Sequence, residues 1–209
     1  MINDVKITMI TGKRIYLREL NEADVSYVYR TWLNDPAVNK FLGPKKTTLD
    51  ELKRIVKEKF LGSKKTTLDE LKQYVKERKK NKNCLFMGIF LKENKEHIGN
   101  IKLEPIDFDN KRTIIGILIG NKNFWGKGMG TEAIKLLVNY AFSNLGLKEI
   151  NLGVLSTNKA AIKAYKKAGF QINEIKKKSA IFGSICDVYM SINPVNYLRK
   201  GKKQRRGVW

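Results

Sequence analysis

The sequence predicts a mixed α/β fold in a single domain, and three observations carry that expectation. A Val/Ile-rich strand pattern runs straight into a glycine loop and an amphipathic helix, a second strand and helix follow at once, and 209 residues suit one domain with a sizeable core. Nothing marks a second independent domain. The expected division is a domain over residues 1–198 and a basic tail over residues 199–209.

In chain order, the first distinctive segment is a tandem duplication. Phe41 to Lys59 and Phe60 to Arg78 are adjacent and identical at 15 of 19 positions. No third copy follows, which excludes a solenoid. Each copy brings its own helix start, Thr48 with Glu51 and Thr67 with Glu70, at the spacing that lets side chains and backbone cap each other. Two helices are therefore expected, with apolar faces of Leu49, Leu52, Ile55 and Val56 in the first and Leu68, Leu71, Tyr74 and Val75 in the second. A single longer helix kinked at Gly62-Ser63 is the alternative.

Ile114 to Ile119 follows as a strand, and Trp125-Gly126-Lys127-Gly128-Met129-Gly130-Thr131-Glu132-Ala133 stops it and opens a helix. Glycines let a backbone come close to a phosphate and aim N–H groups at it, and the positive end of a helix adds to that seat. Tight strand-to-helix turns use the same residues, so the loop alone does not decide. Ala133, Leu136, Leu137, Tyr140 and Ala141 recur at spacings of three and four, giving one apolar stripe that ends by Gly146. A second strand spans Ile150 to Leu155, and a second helix opens at Asn158, carries Ala161, Ile162 and Tyr165, and is stopped by Gly169 before Phe170. Strand, anion loop, helix, strand, helix is the order of a site for a nucleotide-like cofactor.

The chain carries 42 Lys plus Arg against 20 Asp plus Glu, a net charge of +22. That excess attracts anions such as coenzyme phosphates, nucleotide-linked sugars, acidic proteins and nucleic acids, although a general lysine bias also accounts for much of it. The tail from Arg199 to Arg206 reads either as a solubilising segment or as a contact for RNA or a ribosome, and no RNA-recognition signature accompanies it. Met1 to Thr11 lacks the basic start and apolar run of a secretion signal. The longest apolar stretch is far short of the roughly 20 residues that span a bilayer. A cytoplasmic protein with no membrane contact is expected. Cys84 and Cys186 show no metal-ligand spacing and read as core thiols, so no metal is expected.

Taken together, Gly12 to Arg18, Trp32-Leu33-Asn34-Asp35-Pro36, Ile98-Gly99-Asn100-Ile101, Trp125 to Ala133, and Asn158 with Ala161-Ile162, Tyr165 and Gly169-Phe170 closely resemble the GNAT N-acetyltransferase superfamily. The likeness is to the branch that holds ribosomal-protein N-terminal acetyltransferases and many small-amine and amino-sugar acetyltransferases. In the family's loop pattern, Gln/Arg-x-x-Gly-x-Gly/Ala, Trp125 stands at the first position while Gly128 and Gly130 match. The resemblance implies a central, mostly antiparallel sheet flanked by helices and splayed where two parallel strands separate, with the duplicated helix added between the first helix and the second strand. There it either shapes the wall over the acceptor or is a surface insertion that the fold tolerates.

The resemblance also implies acetyl-coenzyme A as co-substrate and supplies candidate roles. Gly128, Gly130 and Thr131, with the amides of Lys127 and Met129, are candidates for the pyrophosphate. The strand Ile117-Leu118-Ile119 would run beside the pantetheine arm and give it backbone hydrogen bonds. Asn158 would hold the pantetheine or the acceptor side, and Tyr165 would protonate the departing sulfur, a role that suits a phenol of pKa about 10. Tyr165 also fits a plain core position beside Ala161, Ile162 and Ala168. Many relatives carry Glu where this chain has Ile114. With that base missing, Glu104, Asp107, Asp109 and Asp187 remain open, as does ordered water, while His97 reads as a surface residue at a strand edge.

The expected activity is acetyl-coenzyme A-dependent N-acetylation of a primary amine. An amino group on a nucleotide-linked sugar ranks first as acceptor, because Asn94 to Ile101 resembles members that serve surface-glycan synthesis. The N-terminus of a ribosomal protein ranks second and polyamines last, since a chain this positive repels polycations. A noncatalytic coenzyme- or RNA-binding scaffold is the rival class of function.

Overall fold

In the computed structural model the described residues are 9–41, 66–181 and 184–197, without the side chains of 176–187. Within them eight strands form one sheet: β1 (Ile10–Thr11), β2 (Ile15–Glu19), β3 (Leu85–Leu91), β4 (His97–Asp107), β5 (Arg112–Ile119), β6 (Glu149–Val154), β7 (Gln171–Ile181) and β8 (Ser184–Ile192). Their order across the sheet is β1-β2-β3-β4-β5-β6-β8-β7. Every neighbouring pair is antiparallel except β5 and β6. A parallel pair needs a crossover, and α4 (Met129–Ser143) supplies it.

The β5–β6 pairing covers only Arg112 to Ile114 against Glu149 to Asn151. Beyond it β5 continues to Ile119, bonded on its other side to β4 from Gly99 to Leu103, and β6 continues to Val154, bonded to β8. Each strand is thus secured along one edge while the facing edges part. The result is the expected splay, a wedge in the middle of a mostly antiparallel sheet.

Strand alternation sends side chains to two layers. On one face, α4 buries Met129, Ala133, Ile134, Leu137, Val138 and Ala141 against Ile15, Leu17, Met87, Ile89, Ile101, Leu103 and Ile115. The other face carries a smaller cluster in which Leu20, Val25, Tyr29, Trp32, Val38, Leu71, Val75 and Phe90 come together. It is built by α1 (Tyr27–Asn34), α2 (Pro36–Asn39) and α3 (Leu68–Lys80). Gly120 lets α1 close on the end of β5, since a β-carbon there would lie 2.2 Å from the Trp32 ring. The helix α5 (Lys159–Ala168) links β6 to β7 and ends at Gly169, whose φ of 117° is in the left-handed region.

The second copy of the duplication forms α3 as its start signal predicts. Thr67 Oγ1 accepts from Glu70 N at 3.2 Å, and Glu70 Oε2 accepts from Thr67 N at 3.0 Å. Leu71 and Val75 are 3% and 1% exposed, so this copy packs its apolar face into the smaller cluster. The first copy beyond Phe41, including Thr48 and Glu51, lies outside the described residues, as do the 199–209 tail and the side chains of Cys186 and Asp187. Cys84 is a buried free thiol whose pKa burial pushes up to about 12, which suits an inert core position.

Candidate active site

Where β5 and β6 part, a cavity of about 650 Å³ opens. Gly116, Ile117 and Leu118 line one wall, and Val154, Leu155, Asn158, Ala161 and Tyr165 line the other. Gly120 N–H bonds Ile98 O at 2.9 Å. By the two-residue alternation of a strand, the N–H and C=O groups of Ile117 and Ile119 then point away from β4, toward the wedge. Leu118 turns its main chain to β4, opposite Asn100, and lends the cavity its side chain. The Ile119 carbonyl accepts the Trp125 indole N–H at 2.7 Å, which gives Trp125 a structural task at the top of the strand.

The glycine loop follows. Gly128 is the N-cap of α4 with φ of 82°, a conformation that a residue with a β-carbon rarely adopts, and no side chain caps the helix. The N–H groups of Met129, Gly130 and Thr131 therefore have no intrahelical partner and are free to meet an anion, while Glu132 N–H bonds Gly128 O. Gly130 has ordinary dihedrals, and a β-carbon on it would rest 3.5 Å from Ile119 Cγ1, so nothing within the fold demands glycine there. Arg14 braces the loop. Its Nη1 donates to Lys127 O at 2.9 Å, and its backbone N and Nε bind the two oxygens of Glu132 at 2.8 and 2.9 Å. Burial raises the Glu132 pKa, but the Arg14 bonds outweigh it and hold the carboxyl below its ordinary value. Beside the loop, Thr131 and Lys135 of α4 face Lys159, Lys163 and Lys167 of α5 across a groove of about 670 Å³.

Tyr165 is 5% exposed, meets Phe170 edge-on at 5.3 Å and still lines the cavity. Burial alone raises its pKa, so the phenol keeps its proton at neutral pH. Asn158 also serves the fold, for its Oδ1 accepts from Ala161 N at 3.1 Å and caps α5.

Of the carboxylates left open as bases, Asp107 is held below its ordinary pKa by Asn110 and Arg112 in a turn, Asp109 is exposed in the same turn, and Glu104 is bonded by both Arg78 and Lys102. Ile114 is half-buried at the last parallel pair. His97 is not the surface residue that the sequence suggests. Its ring sits among Tyr29, Trp32 and Phe90 at centroid distances of 4.9 to 5.2 Å. Nε2 lies 2.9 Å from both Gly99 O and Asn100 Oδ1, so the neutral ring carries its proton there, while Nδ1 is buried with no partner. Burial outweighs those two bonds and lowers its pKa.

Sequence reasoning missed Arg14, the lysine groove, and the polar part of the cavity formed by Tyr29, Asn100 and Lys102. Arg14 lies inside a recognised motif, but its clamp on the loop spans 113 residues. The groove lysines are camouflaged in a chain with 42 Lys plus Arg. Among the described residues no group of three His, Cys, Asp or Glu could hold a metal ion, and no helix is long and apolar enough to cross a membrane.

Residues 14–171 match the Acetyltransferase (GNAT) domain family. An uncharacterised N-acetyltransferase, p20, of Bacillus licheniformis is 36% identical over 106 residues, which cover 49% of this chain and 57% of that protein. A probable N-acetyltransferase of Bacillus subtilis, YjcK, is 32% identical over 110 residues, so the chain spans about three fifths of each of these curated relatives. Among solved structures, the spermidine N-acetyltransferase of Vibrio cholerae in complex with CoA and spermine superposes with a TM-score of 0.68 at 21% identity, covering 90% of this chain and 99% of that one. At that identity the superposition speaks for the fold alone. With the family match running over most of its length, and with the splayed sheet and glycine loop in place, the chain belongs to the GNAT acetyltransferase family.

Proposed function

We propose that the chain is an acetyl-coenzyme A-dependent N-acetyltransferase that modifies a primary amine on a small molecule, with the amino group of a nucleotide-linked sugar as preferred acceptor. The observation that carries this reading is the wedge itself: one cavity meets free backbone edges of β5 on one side and the Tyr165 phenol on the other. The family uses acetyl-coenzyme A, and the residues present fit it, because Gly128 opens α4 without a side-chain cap and leaves that end to a phosphate.

When bound, acetyl-coenzyme A supplies a thioester as acetyl donor. The first-turn amides of α4 and the loop from Lys127 to Thr131 seat the pyrophosphate, and the outward main-chain groups of Ile117 with the N–H of Ile119 orient the pantetheine arm and polarise the acetyl carbonyl. An uncharged amine forms the new C–N bond as the C–S bond breaks. Tyr165 gives its proton to the leaving thiolate, and the proton shed by the amine passes to water, since Ile114 offers no carboxylate. Asn158 borders the same space and steadies the acceptor side.

The test is thiol release from acetyl-coenzyme A over a panel of amino sugars and their nucleotide-linked forms, N-terminal peptides and polyamines, with the acetylated product identified by mass spectrometry. Turnover of a nucleotide-linked amino sugar ahead of the rest is the expected result. Preference for N-terminal peptides transfers the assignment to a ribosomal-protein acceptor, and coenzyme binding without turnover of any amine overturns catalysis in favour of a scaffold.

A further inference from the structure

The acceptor end of the cavity lies on the sheet face under α1 and α3. There Lys102 of β4 stands opposite Gly116 of β5, with its stem running past the Gly116 backbone. A β-carbon built on Gly116 would be 3.6 Å from Lys102 Cε. Lys102 Nζ lies 2.8 Å from Glu104 Oε2, and Arg78 of α3 takes the other Glu104 oxygen. One carboxylate thus serves two cations, and the cluster keeps one positive charge in excess. Burial opposes the Lys102 charge, but Tyr74 and Glu104 outweigh it and raise the pKa, so the ammonium persists at neutral pH.

The surroundings add hydrogen-bond donors. Tyr29 and Asn100 are both buried and both line the cavity. The Asn100 oxygen is taken by His97 Nε2 and its amide hydrogen-bonds the Tyr29 oxygen, which leaves the second amide N–H and the Tyr29 O–H for a partner. Among the described lining residues Glu70 is the one carboxylate, and its Oε2 is committed to the cap of α3. A polyamine would need carboxylates along its length, whereas this lining offers an ammonium, an amide and a hydroxyl.

We propose that Lys102 sets acceptor specificity by binding an anionic oxygen, of a carboxylate or a phosphate, carried on the same molecule as the reacting amine. This rests on the acetyl-transfer reading above and narrows it. A charge-assisted hydrogen bond made in a partly dry site adds affinity that an uncharged analogue cannot match, and a second ammonium placed beside Lys102 is repelled.

The experiment compares matched acceptors: glucosamine with glucosamine 6-phosphate for the phosphate arm, and γ-aminobutyramide with γ-aminobutyrate for the carboxylate arm, with spermidine alongside. Initial rates of thiol release are measured for the wild-type protein, Lys102→Met and Lys102→Arg. The wild type is expected to prefer the anionic member of at least one pair. Lys102→Met should lower kcat/KM for that member roughly 10- to 100-fold, mainly through KM, with a much smaller effect on the uncharged partner. Lys102→Arg should retain most of the preference. Spermidine or the uncharged members turned over best by the wild type, or an equal loss for both members in Lys102→Met, overturns the proposal. If no acceptor is turned over, the acetyl-transfer reading fails by itself, and calorimetric titration of the coenzyme-loaded protein with glucosamine 6-phosphate and with glucosamine still decides the point. Tighter binding of the phosphate, lost in Lys102→Met, supports the charge preference, and equal binding refutes it.

Discussion

Tyr165 and Asn158 each serve the fold and border the cavity, so any functional share has to be measured. Tyr165 packs on Phe170 while its phenol meets the cavity, and Asn158 caps α5 while bordering the same space. Tyr165→Phe keeps the ring and removes the proton donor. Saturating turnover should drop by roughly 10²-fold or more with coenzyme affinity unchanged, whereas near-normal turnover would reduce Tyr165 to packing. His97 makes a separate pH prediction. Its folded pKa is below the unfolded value of about 6.5, so the unfolded chain takes up a proton that the folded chain refuses, and stability falls as pH drops through that region. Denaturant midpoints at pH 7.5 and 5.5 should differ more for the wild type than for His97→Gln, because the paired carboxylates Asp24 and Glu132 lose their contribution only at lower pH. An equal pH dependence in the two proteins would contradict the buried neutral ring. His97 was misread because its pocket is assembled from α1, β3 and β4, and no local pattern announces such a box.

At the scale of elements, local signals were legible where the chemistry is local. The α3 cap and the glycine that ends α5 can be read from spacing and are in place, while of the expected α4 stripe Ala133, Leu137 and Ala141 are buried, Leu136 and Tyr140 are half-buried, and Ile134 and Val138 complete the buried face. The Arg78–Glu104–Lys102 cluster was hidden, since it depends on cross-strand register, a bulge after Leu103 and a helix docked from elsewhere in the chain. The duplication joins the two cases. Truncating Leu71 to Ala should cost about 2–5 kcal/mol of stability, as expected for a large side chain buried in a packed cluster. Excising Phe60 to Arg78 joins the first copy to Lys79, and Leu52 and Val56 then stand at the sequence positions of Leu71 and Val75. A folded product is expected, with coenzyme affinity kept and the acceptor KM changed, because Tyr74 and Arg78 give way to Ile55 and Lys59 beside the Lys102 cluster. Circular dichroism and steady-state kinetics decide it, and an unchanged acceptor KM would disconnect α3 from the acceptor wall.

Over the whole molecule, the splay of the sheet follows from how the strands are secured: β5 by β4, β6 by β8, and the two by each other over three residues only. Sequence could indicate the strand-loop-helix order but not where the parallel pairing stops, because Ile114 to Ile119 is apolar on both sides of that point. The net charge of +22 acts at the same scale. On the proposed reading a polyphosphate coenzyme is drawn to the loop and the lysine groove, and salt weakens that attraction as the screening length shrinks from about 10 Å at 0.1 M to about 3 Å at 1 M. The coenzyme KM should therefore rise with ionic strength, and a salt-independent KM would leave the groove without a part in binding.

The central claim is that the uncapped start of α4 seats the coenzyme pyrophosphate, and calorimetric titration of coenzyme A into Gly128→Val beside the wild type tests it most directly. The valine is strained at φ of 82° and places a branched side chain at the proposed phosphate seat. The account predicts that wild-type protein binds and that the variant, folded by circular dichroism, binds at least tenfold more weakly. Equal affinity in a folded variant would contradict it.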